Sequence, residues 1–170
     1  MSPPAARRPP RRRLAALAAL AAGACSGDGD EGPAERVAYT VAFPSIAAAV
    51  AAEELQIRAY PDEGPSTCLS LVQKRRSQQA LPEAASPLVT VAPCGVQGGG
   101  DGAAIETALG RFALLVVARR QGADFLIGCA VQEVAEGVEP VRVPLTLFSN
   151  TVVVPPTTCA SLSSRCSNGC

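Results

Sequence analysis

The sequence predicts a mainly β protein, a single antiparallel β-sandwich of about six to eight strands with one short helix. Short segments rich in β-branched and aromatic residues recur across residues 37–150, with Gly and Pro between them. One of them, residues 112–118, is apolar at every position, which is typical of a central strand covered on both faces. We expect a signal peptide and a flexible tether to precede this domain.

The residue pattern predicts the first two strands. Residues 37–43 (VAYTVAF) are β-branched and aromatic enough for a strand that ends at Pro44. In residues 54–60 (ELQIRAY), apolar Leu, Ile and Ala alternate with other residues, which predicts a second strand. The Ala-rich segment between them favours a helix by composition but follows a proline, so both helix and strand stay open for it.

Residues 62–79 (DEGPSTCLSLVQKRRSQQ) carry the one clear helix signal. Pro65 or Ser66 begins the helix, and the basic run 74–76 near its end suits the helix dipole. A run of this kind ordinarily faces water, and we expect the same here. Residues 88–94 (LVTVAPC) predict a short strand after the helix.

The second half of the chain predicts a hairpin and further strands. The strand at 112–118 is followed by a polar turn around Gly122 and by a second strand with alternating residues. The residues expected to share the core side of that second strand are Phe125, Ile127, Cys129 and Val131. Residues 141–145 predict a strand at a sheet edge because they include Pro144, and residues 151–156 (TVVVPP) predict a last short strand.

Residues 105–119 (IETALGRFALLVVAR) resemble a recurring piece of transthyretin-like and carboxypeptidase-regulatory sandwiches, in which a Gly-aromatic pair leads into a strand. The resemblance implies a transthyretin-like or Ig-like β-sandwich. The whole chain is also similar in style to short exported lipoproteins of GC-rich myxobacteria.

The N-terminal residues have the layout of a secretory signal. The first thirteen residues hold five arginines and no acid, and an apolar run follows at residues 14–22. That run is too short to span a bilayer, which needs roughly 20 apolar residues. Gly23 and Ala24 then precede Cys25, an order that resembles the bacterial lipoprotein signal. The resemblance implies cleavage before Cys25, a diacylglycerol on its thiol and a palmitate-type acyl chain on its new amine.

The sequence departs from the usual lipoprotein pattern at Ala22, where the family usually has Leu. The alternative is plain secretion, because residues 22–24 (AGA) also fit a cut of the A-x-A type. Ser26 after the cysteine implies the outer membrane rather than the inner one. The predicted organisation is a signal peptide at 1–24, a flexible acidic tether at 25–36, the sandwich at 37–150 and a Cys-rich tail at 151–170.

Charge and cysteine content narrow the class of protein. Loss of the five signal arginines leaves ten basic against fifteen acidic residues, a net charge of −5, which disfavours binding to nucleic acid. If Cys25 carries lipid, six cysteines remain for three disulfides: Cys68, Cys94, Cys129, Cys159, Cys166 and Cys170. Fifteen pairings exist in principle. We prefer Cys68–Cys94, with the last three cysteines joined to Cys129 or to one another.

The sequence offers little chemistry. It has no histidine, which excludes His-dependent triads, His-ligated metals and His acid–base catalysis. The cysteine spacing matches no standard zinc pattern, and we predict neither a metal nor a cofactor. Ser70 precedes the single lysine, Lys74, by four residues, so their side chains could meet on one helix face. A polar, exposed helix face is the simpler interpretation.

We therefore predict a non-enzymatic lipoprotein of the cell envelope, held at the outer membrane through Cys25, with a structural, adhesive or partner-binding role. Loops on a rigid sandwich are the usual binding sites, which favours residues 95–103 and 134–140. One alternative is a carrier of a small apolar ligand, with a pocket between the sheets lined by Phe112, Leu114, Phe125 and Ile127. The other is a hydrolase that uses carboxylates or Ser70 and Lys74.

Overall fold

The computed structural model describes residues 35–97, 104–107, 110–134 and 139–170. Within these ranges the chain is mainly β, as predicted, with two sheets of three and five strands and a few short helices. The strands are β1 (Glu35–Ala42), β2 (Glu54–Pro61), β3 (Val89–Val91), β4 (Ala104–Thr107), β5 (Gly110–Arg120), β6 (Ala123–Val134), β7 (Val141–Pro144) and β8 (Thr146–Leu147). The helices are α1 (Ile46–Ala51), α2 (Thr67–Arg76) and α3 (Leu162–Cys166), with a 3-10 turn at Pro93–Val96.

The two sheets differ in how their strands pair. The larger sheet has the order β3-β2-β5-β6-β8 and is antiparallel throughout, whereas the smaller has the order β4-β1-β7. β1 pairs antiparallel with β4 but parallel with β7, which departs from the all-antiparallel prediction. A parallel pair needs a long crossover connection, and the chain between β1 and β7 supplies one by forming four strands of the other sheet. β7 lies at a sheet edge, as Pro144 predicts.

β5 is buried on both faces, as its all-apolar sequence predicts. Leu114, Val116 and Ala118 point into the core between the two sheets. Residues of the smaller sheet pack against them there, including Tyr39, which is 1% exposed. Burial raises the pKa of the Tyr39 hydroxyl to about 12. The alternate residues of β5 pack on the opposite face of the five-stranded sheet. Both faces of this sheet must therefore be covered by other elements.

Helix α2 covers the outer face of the five-stranded sheet. Ser66 is its N-cap residue, in agreement with the predicted start. Its Leu71 is buried, and the Cys68–Cys129 disulfide fastens it to β6. The residues that pack beneath the helix are Tyr60, Ala113, Leu115, Val117 and Ile127. The fold thus has three layers in cross-section: the small sheet, the large sheet and α2.

The prediction for β6 was wrong at Phe125. Residues 127, 129 and 131 do share one face, but it is the outer face beneath α2. Phe125 instead packs in the core between the sheets, beside Leu126. The cause is a bulge in the β5–β6 pairing, where Ala118 aligns with Leu126 but Arg119 aligns with Asp124. The extra residue reverses the alternation of faces at that point.

The six cysteines of the described residues form three disulfides, as predicted, but the preferred pairing was wrong. The pairs are Cys68–Cys129, Cys94–Cys166 and Cys159–Cys170. The free energy gained by closing the loop between them favours Cys68–Cys94, but packing places Cys68 over β6 and Cys94 on the 3-10 turn beside α3. The tail does close one bridge within itself, but Cys129 is joined to α2 rather than to the tail.

The C-terminal residues fasten the other end of the core. Residues 151–156 form no strand; Pro155 and Pro156 have no backbone N–H to donate, and Val152 and Val154 pack on the core instead. Arg165 of α3 donates hydrogen bonds to the carbonyl oxygens of Val50 and Ala52, at the end of α1. The Ala-rich segment is thus a helix whose terminal carbonyls are satisfied by the tail.

Gly128 permits a close approach between β6 and the chain at Pro144 and Leu145. It lies on β6, directly beneath the point where the chain leaves β7 and enters β8. A Cβ atom at this position would lie 2.9 Å from Leu145 Cδ2 and closer still to the Pro144 carbonyl oxygen. No side chain larger than hydrogen fits without a shift of that backbone.

We predict that Gly128→Ala lowers the free energy of unfolding by about 1–3 kcal/mol, the usual cost of overpacking a core. Urea denaturation with the disulfides intact measures the change. Gly95→Ala is the matched control, because a Cβ there meets nothing within 4 Å. Equal stability of the two variants would contradict this packing.

Candidate functional site

Several residues predicted to act lie outside the described part of the chain. Cys25, the signal peptide and nearly all of the tether fall in residues 1–34. The loops at 95–103 and 134–140 fall largely in residues 98–103 and 135–138. Among the described residues, no group of three or more His, Cys, Asp or Glu side chains is arranged to hold a metal ion. No helix described here is long and apolar enough to cross a membrane.

The carrier hypothesis does not fit the positions of its four proposed lining residues. Leu114 and Phe125 are buried in the packed core between the sheets, with Phe112 against them. Ile127 lies on the opposite face of the five-stranded sheet, beneath α2. These residues therefore cannot line one cavity between the sheets.

A polar groove of about 380 Å3 runs along one side of α2. Ser70 and Lys74 both line it, as expected for residues one helical turn apart. Glu63, before the helix, and Glu83, in the loop after it, line the same groove. The groove therefore combines hydroxyl, ammonium and carboxylate groups within one concavity.

Ser70 and Lys74 share the groove, but their side chains are not joined by a hydrogen bond. A serine nucleophile needs a base within hydrogen-bond distance. In the part of the chain that is described, the Ser70 hydroxyl makes no hydrogen bond to Lys74 or to any carboxylate. A lysine and two glutamates along a concave surface are suited to bind a polar partner of mixed charge.

The other two residues of the basic run do not simply face water. Arg75 makes a two-bond ion pair with Asp124 of β6, with Nε–Oδ2 and Nη2–Oδ1 distances of 2.7 and 3.0 Å. Arg76 donates a hydrogen bond to the Leu147 carbonyl oxygen of β8 at 2.9 Å. The prediction of a solvated run was therefore wrong for Arg75, which is partly buried, whereas Arg76 is exposed as predicted. They fasten the end of α2 across the large sheet, because the helix end lies over its edge.

Asp62 organises the start of α2. Its side chain is 2% exposed, and Arg111 of β5 contacts its Oδ2 through Nε at 2.6 Å. The Gly64 N–H donates to its Oδ1 at 3.3 Å. Burial alone would raise the pKa of the Asp62 carboxyl, but the hydrogen bonds from Thr67 and Gly64 and the Arg111 charge outweigh burial and lower it.

Sequence reasoning missed Asp62 and Arg58. Arg58 lies on β2 in the row that faces outward, and it lines a second and smaller pocket beside α2. The alternation in residues 54–60 was visible, but only as a strand signal. Alternation predicts which side chains share a face of the strand. It does not predict which polar side chains a distant loop will cover.

Comparison with known protein families, with curated proteins and with solved structures found no match to this chain.

We predict that Asp62→Asn makes the free energy of unfolding depend less on pH in the acidic range. A carboxyl whose pKa is lowered by folding stabilises the protein above its ordinary pKa of 3.8, and that contribution is lost as the pH falls through the lower folded value. The variant should be less stable than the wild type near neutral pH, and the difference should shrink at about pH 3.

Urea denaturation at the two pH values measures this difference. Glu106→Gln serves as the control, since it removes an exposed carboxylate that pairs with Arg36 on the other sheet. A difference between wild type and Asp62→Asn that is the same at both pH values would show that the Asp62 carboxylate charge is not what stabilises the start of α2.

Proposed function

We propose that this protein is a non-enzymatic lipoprotein of the cell envelope, anchored in the outer membrane by lipid on Cys25, whose domain binds a partner in that compartment. The tether at residues 25–36 separates the anchor from the folded domain. The proposal assigns binding to the surface around α2, where the polar groove lies.

The observation that carries the proposal is the use of the cysteines. The chain has seven, and the six in the described residues pair with one another. Disulfides form and persist in oxidising compartments outside the cytosol. The cysteine left over, Cys25, follows directly after a signal-like segment, where a lipoprotein needs its acylation site. An unpaired thiol is otherwise a liability in an exported protein.

The pattern of bridges suits a domain that presents a fixed surface. Cys68–Cys129 and Cys94–Cys166 join residues 61 and 72 positions apart. In the chain-entropy account, closing loops of this length stabilises the folded state by about 4 kcal/mol each. The first bridge holds α2, and with it the groove, against the large sheet. A surface held in this way loses little conformational freedom when a partner binds.

Lipid anchoring accounts for the remaining features of the sequence. Each buried lipid CH₂ contributes about 0.8 kcal/mol, so two or three acyl chains hold a protein firmly in a bilayer. The acidic tether cannot bury enough apolar surface to fold by itself. The net charge of −5 after cleavage gives no attraction to anionic lipid headgroups, so the acyl chains must supply the affinity for the membrane.

We predict that the full chain, expressed in a bacterial host that processes lipoproteins, is recovered from membranes as a species beginning at residue 25. Its intact mass should exceed that of the peptide by a diacylglyceryl and an acyl group. Alkylation should modify no thiol before reduction and six after it. Cys25→Ser should abolish incorporation of labelled palmitate.

Ser26→Ala is the matched control, because it changes the neighbouring position and keeps the thiol; it should retain the lipid mass. An unlipidated wild-type chain with one alkylatable thiol would contradict the anchor. The protein would then be a secreted domain cut after Ala24, as the plain-secretion alternative has it.

A further inference from the structure

A small pocket beside α2 shares no lining residue with the polar groove. It opens on the outer face of the five-stranded sheet and has a volume of about 90 Å3. Its floor comes from Leu115 and Val117 of β5, and Arg58 and Tyr60 of β2 line one side. Leu81 and Leu88, from the loop between α2 and β3, complete it. No motif in the sequence marks it.

Cationic side chains line this pocket without an acidic one among the described residues. Arg75 already has its counter-ion, Asp124. Arg58 has none: its Nε is buried and makes no hydrogen bond, and no carboxylate in the described residues lies within ion-pair distance of it. A buried N–H without an acceptor is costly, and more so on a charged group. An acceptor supplied from outside would remove that cost.

The nearest acids of the strand are already engaged. Glu54 accepts a hydrogen bond from Gln56 at 2.8 Å and lies 3.8 Å from Arg119. Asp62, four residues beyond Arg58, pairs with Arg111. Within the described residues, the Arg58 guanidinium, whose Nε is buried, therefore has no negative partner.

The size and walls of the pocket select among anions. A cavity of 90 Å3 is several times larger than the roughly 10–15 Å3 that one water molecule needs. It has room for a carboxylate with a short alkyl chain. Half of the eight lining residues are leucine or valine, and these apolar side chains suit an alkyl group but not the hydration shell of phosphate or sulfate. Leu88 remains 46% exposed, so a longer chain can continue past it toward solvent.

We propose that this pocket binds the carboxylate of an aliphatic acid, with the Arg58 guanidinium as its charge partner and the leucines around its alkyl group. A guanidinium is the side chain best matched to a carboxylate, through paired N–H donors. The ligand is either a free short-chain acid or the C-terminal carboxylate of a peptide that ends in an aliphatic residue. The inference does not depend on the anchor at Cys25 and stands or falls separately from it.

Isothermal titration calorimetry of the purified, disulfide-intact full chain tests this site. The probes are butyrate for a free acid, N-acetyl-leucine for a peptide terminus, butyramide as the uncharged analogue and inorganic phosphate as a competing anion. We expect saturable 1:1 binding of butyrate or N-acetyl-leucine, and none of butyramide. The tighter of the two carboxylates identifies the source of the ligand.

Arg58→Gln should weaken carboxylate binding at least about tenfold, the loss expected for a hydrogen bond to a charged group. Arg142→Gln, an exposed arginine on β7, is the matched control and should bind as the wild type does. The second test variant is Leu88→Glu, which adds a negative charge to the lining and should also abolish binding. Its control is Leu69→Glu, since Leu69 is 60% exposed and lies outside the pocket.

Three results would overturn the proposal: no saturable binding of either carboxylate to the wild type, equal binding by Leu88→Glu and Leu69→Glu, or phosphate bound as tightly as the carboxylates. If Arg58→Gln does not fold, the comparison of Leu88→Glu with Leu69→Glu still tests the proposal. None of these results bears on lipid at Cys25.

Discussion

The structure depends on one constraint: the five-stranded sheet has to be covered on both faces. Its central strand, β5, is apolar at successive positions, so half of its side chains point to each side of the sheet. The three-stranded sheet covers one face. The other face is left to α2 and the loop that follows it, held by Cys68–Cys129. Burial of apolar area contributes roughly 25 cal/mol per Å2, so packing of the small sheet on one face and of α2 on the other both stabilise the fold.

That constraint also explains where the concave surfaces lie. A ten-residue helix is about 15 Å long and about 10 Å wide, whereas five strands at their usual spacing extend roughly 20 Å. α2 lies over β5 and β6, which leaves the β2 side of the face to the loop after it. The groove with Ser70 and the pocket with Arg58 are the edges of this incomplete cover. These two concave surfaces are where the proposals above place ligand or partner binding.

The sequence predicts local structure well where one physical signal dominates. The all-apolar run identified β5 as central, and Pro65 and Ser66 marked the start of α2, although the Ser66 side chain makes no capping hydrogen bond. Phe125 was misassigned because a single extra residue in a strand reverses its faces without leaving a pattern in the sequence.

The candidate site was less predictable than the fold. Ser70 and Lys74 share a groove because the helical repeat requires it. The pairing of Cys68 with Cys129, and the burial of the Arg58 Nε without an acceptor, both depend on which distant segment covers the outer face. Long-range contacts of this kind depend on how whole layers pack, and no local pattern in a single sequence predicts them.

The position of α2 over β6 is the central claim of this account, and a disulfide map of the unreduced protein tests it most directly. After trypsin digestion, Cys68 lies in peptide 59–74, Cys94 in 77–111 and Cys129 in 121–142. The structure requires the Cys68–Cys129 bridge to join peptide 59–74 to peptide 121–142. It also requires Cys94–Cys166 to join peptide 77–111 to peptide 166–170, and Cys159–Cys170 to join peptide 166–170 to peptide 143–165. A link between 59–74 and 77–111 would contradict it, because α2 would then not be fastened to β6 and the outer layer described here would not be the native one.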